Sequence, residues 1–193
     1  WAIGLGMLWN VRKASTDGEV KFSLSDPSSA YNKAIDEMAI KQLSTNILPY
    51  FDGKDQRILN LLSTEEMDGK SHIGIALEEY WNSLGLNVRR ITHDEDFLSE
   101  DSTYVQANTI MDICPDLSSD EIAIVEYPVL KNNPISPSLL NEASLNLMIV
   151  RANRTWKDTD QLMFKRLLDI KDTNIPLEFC LTQASRSAVQ DFT

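Results

Sequence analysis

The stretch Arg57-Ile-Leu-Asn-Leu-Leu-Ser-Thr-Glu-Glu-Met-Asp-Gly-Lys-Ser71 decides the fold. Its apolar run at 58–62 predicts a buried strand, and the Gly-Lys-Ser leads into apolar residues with helical spacing over 73–84. A strand, a loop, Gly-Lys-Ser and a helix are the context that a phosphate-cradling loop requires, because N–H groups at a helix N-terminus attract anions. This part of the sequence therefore indicates a nucleotide-binding type of scaffold.

The same loop lacks part of what the full pattern demands. The pattern has a glycine five residues before Gly69, and Thr64 stands there. The loop interior, 65–68, reads Glu-Glu-Met-Asp and carries three carboxylates where a triphosphate would lie. Like charges repel, and a side chain in place of glycine obstructs close backbone approach to phosphate. The sequence therefore predicts a nucleotide-binding scaffold with a compromised site.

Composition limits the classes of function. The chain has 193 residues with 42% hydrophobic residues, enough for one domain with a substantial core. Its formal net charge of −11 argues against a nucleic-acid-binding protein. Cys114 and Cys180 lie far apart in apolar contexts and are predicted to be reduced, buried thiols. With only His72 and His93, no zinc-type site can be assembled from spacing.

The N-terminal residues 1–27 differ from the rest of the chain. Residues 1–9 are apolar and flanked by tryptophans, and Arg12-Lys13 follow. Nine residues cannot span a bilayer, which needs about 20. Two interpretations stay open: the cytoplasmic end of a membrane helix that begins before residue 1, or a short strand that packs on the domain. Residues 14–27 are predicted to be a linker, and residues 28–193 a P-loop ATPase-like domain.

The remaining periodicities alternate between helix and strand. Helices are predicted over 28–47, 103–113 and 158–168, and strands over 86–91, 122–126, 145–150 and 177–182. The acidic run 94–101 is predicted to be a solvated loop. Alternation of this kind predicts an α/β fold: a three-layer, Rossmann-like structure of the P-loop NTPase type, with about five parallel strands and helices on both faces.

Several stretches carry a family resemblance in the right order. They are Leu43-Ser-Thr-Asn-Ile47 at the end of the first helix, the loop Ser63–Ser71, Ile91-Thr-His-Asp94, Ile124-Val-Glu-Tyr-Pro128 and Leu147-Met-Ile-Val-Arg-Ala152. Together they resemble the cytoplasmic P-loop ATPase domain of the bacterial tyrosine kinases and the chain-length regulators of polysaccharide export. The resemblance covers about 28–193, although no single motif is intact.

The resemblance implies roles for individual residues. Nucleotide would be bound by Gly69, Lys70, Ser71 and His72, and magnesium by Ser71, Asp94 and Glu126. If the domain is active, the catalytic residues would be Lys70, Asp94 and Glu126. The family has aspartates where this chain has Thr92 and Glu126, and it has a tyrosine run where this chain has scattered tyrosines. The first change removes a group that would help to organise magnesium.

The resemblance also implies partners and a location. The partners would be membrane proteins of polysaccharide co-polymerisation and export, together with further copies of this chain, and no nucleic acid. The location would be the cytoplasmic side of the inner membrane, with a tether if a membrane helix precedes residue 1.

Three hypotheses about function follow. The first is a pseudo-ATPase that binds no nucleotide, or binds ATP or ADP with magnesium weakly. It would act as a regulator or scaffold in capsular polysaccharide, exopolysaccharide or lipopolysaccharide chain-length control and export. The second is an active ATP-dependent tyrosine autokinase or ATPase with deviant motifs. The third is a P-loop-like partner-binding protein unrelated to polysaccharide. The degenerate motifs favour the first hypothesis.

Overall fold

The computed structural model describes residues 30–93, 107–131 and 133–183. The helices are α1 Ala30–Ile47, α2 Lys70–Ser83, α3 Ile110–Ile113, α4 Pro137–Glu142 and α5 Asp158–Ile170, with a 3-10 turn at Leu48–Phe51. The strands are β1 Arg57–Leu62, β2 Val88–Thr92, β3 Ile122–Glu126, β4 Leu145–Arg151 and β5 Leu177–Thr182. The predicted N-terminal segment and the acidic loop 94–101 lie outside the described residues.

The five strands form one parallel sheet in the order β2-β3-β1-β4-β5. Strand β1 lies in the centre, where Leu59 pairs with Ile124 of β3 on one side and with Leu145 of β4 on the other. The carboxyl ends of the strands meet at one edge, which is where ligands bind in open α/β sheets. The predicted parallel α/β sheet, with 58–62 as a central strand, is confirmed.

Alternate residues of the central strands serve two separate cores. Ile58 and Leu62 pack in a cluster with α3, α4 and α5 on one face of the sheet. Leu59 and Leu61 pack on the other face with α1 and α2. Because both faces are covered, the central strands are mostly apolar, as expected for a parallel sheet. The predicted layers of helices on both faces follow from this arrangement.

The prediction for the helix at 103–113 was wrong at residues 107–109, which are not helical. Thr109 is extended, with φ −139° and ψ 161°, and precedes α3 as its N-cap. Its backbone N–H donates to Asp112 Oδ2 over 3.0 Å, so the helix begins at Ile110. Helix α4 was not predicted, although Ser136 and Pro137 give the usual sequence of an N-cap followed by proline in the first turn.

Strand β2 begins two residues later than predicted, at Val88. Leu86 belongs to the turn that ends α2, because its N–H donates to the carbonyl of Trp81 over 3.0 Å. Gly85 occupies this turn with a left-handed φ of 81°. No helix of the described ranges is both long enough and apolar enough to span a membrane.

Candidate functional site

The loop 63–69 joins the central strand β1 to the N-terminus of α2 at the carboxyl edge of the sheet. Gly69 ends the loop with a left-handed φ of 98°, and its carbonyl accepts the Ile73 N–H over 3.1 Å. A Cβ at this position would lie 3.2 Å from Cγ2 of Thr182. The left-handed backbone conformation therefore favours glycine at this position, and a Cβ would also crowd the Thr182 side chain.

Lys70 opens α2 with its side chain turned toward the loop. The residue is 8% exposed, and its Nζ donates to Ser63 Oγ over 2.6 Å. The Ser63 hydroxyl in turn donates to the carbonyl of Glu65 over 2.9 Å. The ammonium group thus lies against the loop between β1 and α2, where a phosphate group would be bound in a loop of this type.

Ser71 and Glu126 are brought together although they are 55 residues apart. The Ser71 hydroxyl donates to Glu126 Oε1 at the carboxyl end of β3. Glu126 is 5% exposed, and Arg90 Nη1 lies 3.7 Å from its other oxygen. That oxygen, Oε2, is buried and accepts no hydrogen bond among the described residues. The site therefore holds a hydroxyl and a carboxylate with spare acceptor capacity.

The other predicted site residues are placed differently or not described. His72 lies on the exposed side of α2. Asp94 lies outside the described residues. Thr92 ends β2 in register with Glu126 and is 8% exposed. A hydroxyl therefore stands beside Glu126 at the position where the resemblance leads one to expect a carboxylate.

The prediction that three carboxylates face the phosphate position is wrong for Asp68. Its side chain is 0% exposed and turns away from the loop mouth toward the connection between β4 and α5. There its Oδ1 lies 3.1 Å from Arg154 Nε and 3.3 Å from Arg151 Nε. Since both arginines neutralise this carboxylate, it does not oppose an anion at the mouth of the loop.

Glu65 is also compensated by positive charge. Its Oε1 lies 3.3 Å from Lys131 Nζ and 3.6 Å from Lys157 Nζ. Desolvation acts to raise the pKa of Glu65, but the two lysines outweigh it and hold that pKa below its ordinary value. Glu66 is exposed. The loop is therefore much less negative than its sequence suggests.

Met67 adopts a backbone conformation that suits glycine. Its φ is 59°, and its side chain is 81% exposed. The sequence predicted that a side chain in place of glycine would obstruct close approach to the loop backbone, and Glu66 and Met67 are both exposed.

A buried group that sequence reasoning missed lies beneath the loop. We call it the Arg154 cluster, and it consists of Thr64, Asp68, Arg154 and Asp160. Arg154 donates from Nη1 to Asp160 Oδ2 over 2.8 Å and from Nη2 to Thr64 Oγ1 over 2.8 Å. The Thr64 hydroxyl donates to Asp160. The cluster therefore joins the loop to the first turn of α5.

The electrostatics of the cluster favour its charged form. Burial acts to raise the pKa of Asp160, but hydrogen bonds from Arg154, Thr64 and the Lys157 N–H hold it below its ordinary value. Burial acts to lower the pKa of Arg154, and Asp160 and Asp68 raise it overall. Asp160 in the first turn of a helix is a recognisable capping acid. Its contact with Thr64, 96 residues away, gives no signal in a single sequence.

The donors present fit a nucleotide phosphate with magnesium. In the described ranges, no group of three or more His, Cys, Asp or Glu side chains is arranged to hold a metal ion. A magnesium ion would therefore rely on Ser71, Glu126, phosphate oxygens and water, which is how this ion is usually bound beside nucleotides. The buried Glu126 Oε2 provides a suitable acceptor for such an ion or its water.

The sequence matches no family model and none of the curated proteins. Among solved structures, the fold is similar to that of the kinase domain of Escherichia coli tyrosine kinase ETK, with a TM-score of 0.52 and 12% sequence identity. The similarity covers 77% of this chain and 77% of that chain. The resemblance to the P-loop domain of the bacterial tyrosine kinases is therefore confirmed at the level of the fold.

Proposed function

We propose, on the premise of this kinase-domain fold, that the chain binds nucleotide phosphate weakly with magnesium and does not transfer a phosphoryl group. Nucleotide binding is supported by one observation, which is that Lys70, Ser71 and Glu126 converge at the carboxyl edge of the sheet. An ammonium group, a helix N-terminus and a hydroxyl–carboxylate pair are the groups that cradle phosphate and magnesium.

The residues around Glu126 argue against phosphoryl transfer. Phosphoryl transfer depends on positioned groups that organise magnesium and the attacking nucleophile. Thr92 supplies a hydroxyl beside Glu126, where an aspartate is expected. Glu126 itself is one methylene longer than aspartate, and it is engaged by Ser71 and Arg90. The tyrosines of the sequence are scattered and form no acceptor run.

A domain that senses nucleotide without catalysis is suited to regulation or scaffolding. We place it in capsular polysaccharide, exopolysaccharide or lipopolysaccharide chain-length control and export, on the cytoplasmic side of the inner membrane. Its partners there are the membrane proteins of co-polymerisation and export, and further copies of the chain. This assignment is supported by the motif resemblance over 28–193 and by the similar fold of the ETK kinase domain.

The second candidate, an ATP-dependent tyrosine autokinase, is favoured by the buried acceptor on Glu126, which magnesium or its water can use. One experiment separates the two. The purified chain is titrated with Mg-ADP and Mg-ATP by calorimetry, then incubated with labelled Mg-ATP and probed for phosphotyrosine. The matched variants are Lys70→Ala, which removes the buried ammonium, and Lys165→Ala, which removes an exposed lysine of α5.

We expect weak binding that Lys70→Ala abolishes and Lys165→Ala preserves, with no phosphotyrosine in any sample. A ligand at 100 times its Kd stabilises the fold by about 2.7 kcal/mol, so thermal unfolding gives an independent readout. Phosphotyrosine that depends on Lys70 would make the chain an active kinase. Absence of any nucleotide effect at millimolar concentration would reject the binding half of the proposal.

A further inference from the structure

The Arg154 cluster holds both ends of the phosphate loop. Thr64 follows β1 closely and Asp68 precedes Gly69, so the two residues bracket the segment 65–67, in which Glu66 and Met67 are exposed. The side chains of Asp68 and Asp160 are 0% and 1% exposed, and that of Arg154 is 10% exposed. Thr64 is 2% exposed. The loop is therefore anchored from inside the protein at its two ends.

The anchor resists displacement because it contains buried charges. Arg154 reaches both oxygens of Asp68, over 3.1 and 3.3 Å, and both oxygens of Asp160, over 2.8 Å from Nη1 and 3.1 Å from Nη2. Removing one member of a buried ion pair leaves the partner uncompensated in a poorly solvating environment. A movement that lifted Asp68 would expose that imbalance, and one that lifted Thr64 would break its hydrogen bonds with Arg154 and Asp160. The shape of the loop is thus coupled to the charge balance of the cluster.

A second contact strengthens the coupling on the Asp68 side. Thr182, the last residue of β5, donates its hydroxyl to the Asp68 carbonyl over 2.6 Å. Thr182 is also the residue against which Gly69 packs. The backbone at 68–69 is therefore fixed from the strand edge as well as from the connection between β4 and α5.

We infer that Arg154 is a positioning residue of the phosphate loop, which it holds through its contacts with Thr64, Asp68 and Asp160. The inference rests on the proposed function, because it concerns the nucleotide-binding loop. Arg154 acts on any ligand only through the loop backbone. The Thr64 side chain belongs to the Arg154 cluster and helps to hold the loop.

The role of Thr64 in the cluster predicts that Thr64→Gly loosens the loop. The change restores the glycine of the common loop pattern, but it deletes the hydroxyl that bridges Arg154 and Asp160. It also adds backbone freedom to the unfolded and open states. The substitution therefore loosens the loop in this chain. Thr64→Ser keeps the hydroxyl and preserves the contact.

The test measures amide hydrogen exchange across residues 64–71, with the amides of β1 as the internal reference. The variants are Thr64→Gly, Thr64→Ser and Arg154→Lys, and the matched control is Arg166→Ala, which removes an exposed arginine of α5. We expect Thr64→Gly and Arg154→Lys to accelerate exchange in the loop by about tenfold or more, equivalent to about 1.4 kcal/mol. Thr64→Ser and Arg166→Ala remain close to the native chain.

Titration with Mg-ADP provides the second readout, and its affinity should fall in the two variants with fast exchange. Slow exchange in Thr64→Gly, or tighter Mg-ADP binding by it, overturns the inference. If the native chain does not bind Mg-ADP, the proposed function fails, whereas the exchange comparison still decides the role of Arg154. Acceleration that extends equally through β1 would show a global loss of stability and would also reject a positioning role.

Discussion

Met67 is the residue at which backbone conformation and amino-acid type conflict most clearly in the loop. Its φ of 59° is unfavourable for a residue with a Cβ, and its side chain gains little from packing because it is 81% exposed. The conformation persists because the Arg154 cluster fixes the backbone on one side and α2 fixes it on the other. The strain is local, and it can be tested by substitutions that leave the Arg154 cluster unchanged.

We expect Met67→Gly to be more stable than Met67→Ala by about 0.5 to 1 kcal/mol. Both changes remove the exposed side chain, but only glycine relieves the left-handed strain, and its greater unfolded-state entropy offsets part of the gain. Urea unfolding of the two variants, analysed by linear extrapolation, measures the difference. Equal stability of the two would show that position 67 is unstrained.

For individual residues, those that belong to a contiguous motif could be predicted from the sequence. Gly69, Lys70 and Ser71 were found because a strand, glycine and a helix fix their geometry within a few residues. The meaning of Thr64 and Asp68 was misjudged, because their partners Arg154 and Asp160 come 86 and 96 residues later. A loop side chain can face solvent or face inward, and only the tertiary contact decides between them.

Helix α2 carries the site at its N-terminus and is held to α1 near its other end. Trp81 is fully buried, and its Nε1 donates to Ser44 Oγ over 2.7 Å. The indole also meets Phe51 edge-on, with ring centroids 5.8 Å apart. This contact fixes the direction of α2, and with it the position of Lys70 and Ser71.

We expect Ser44→Ala to lower the free energy of unfolding by about 1 to 3 kcal/mol, because the buried indole N–H then lacks its acceptor. The matched control is Ser83→Ala, whose hydroxyl is exposed and donates to the Tyr80 carbonyl. That change should stay within about 0.5 kcal/mol of the native chain. Denaturant unfolding followed by tryptophan fluorescence compares them. Similar losses in both variants would contradict the role of the Ser44 contact.

The elements with strong periodicity were predicted well, and the short ones were not. The apolar runs of β1, β3, β4 and β5 and the stripe of α2 extend over enough residues to fix their type. Helices α3 and α4 have 4 and 6 residues, too few for a helical period to repeat. Their ends depend on capping contacts, such as Thr109 with Asp112, that periodicity does not report.

For the molecule as a whole, the lowered pKa of Asp160 makes the free energy of unfolding depend on pH in acid. In the unfolded chain the Asp160 carboxyl has its ordinary pKa of about 3.8, and in the folded chain its pKa is lower. Between those two values the unfolded state binds more protons, so stability is present above about pH 3.8 and is lost as the pH falls through the folded pKa. The stabilisation by Asp160 is therefore fully present and independent of pH in the neutral range, and it changes with pH only in acid.

We expect the stability advantage of the native chain over Asp160→Asn to stay constant from pH 7 to about pH 5, and to shrink below about pH 3.8. Urea unfolding at a series of pH values measures the two curves. Asp169→Asn, an exposed position on α5, is the control and should run parallel to the native chain. A difference that is independent of pH would show that the Asp160 carboxylate contributes no ionisation-linked stability.

The contacts that anchor the loop can form only in a certain order as the chain leaves the ribosome. Asp68 is synthesised before both of its partners. Its side chain can accept from Arg154 only 86 residues later, and its carbonyl can accept from Thr182 only 114 residues later. Strand β1 likewise lacks both neighbours until β3 and β4 have been made. A nascent chain arrested before β5 therefore carries the Gly-Lys-Ser motif without its fully anchored loop. The loop is therefore among the last parts of the described fold to be fully anchored during translation, although its motif is synthesised before most of its contacts.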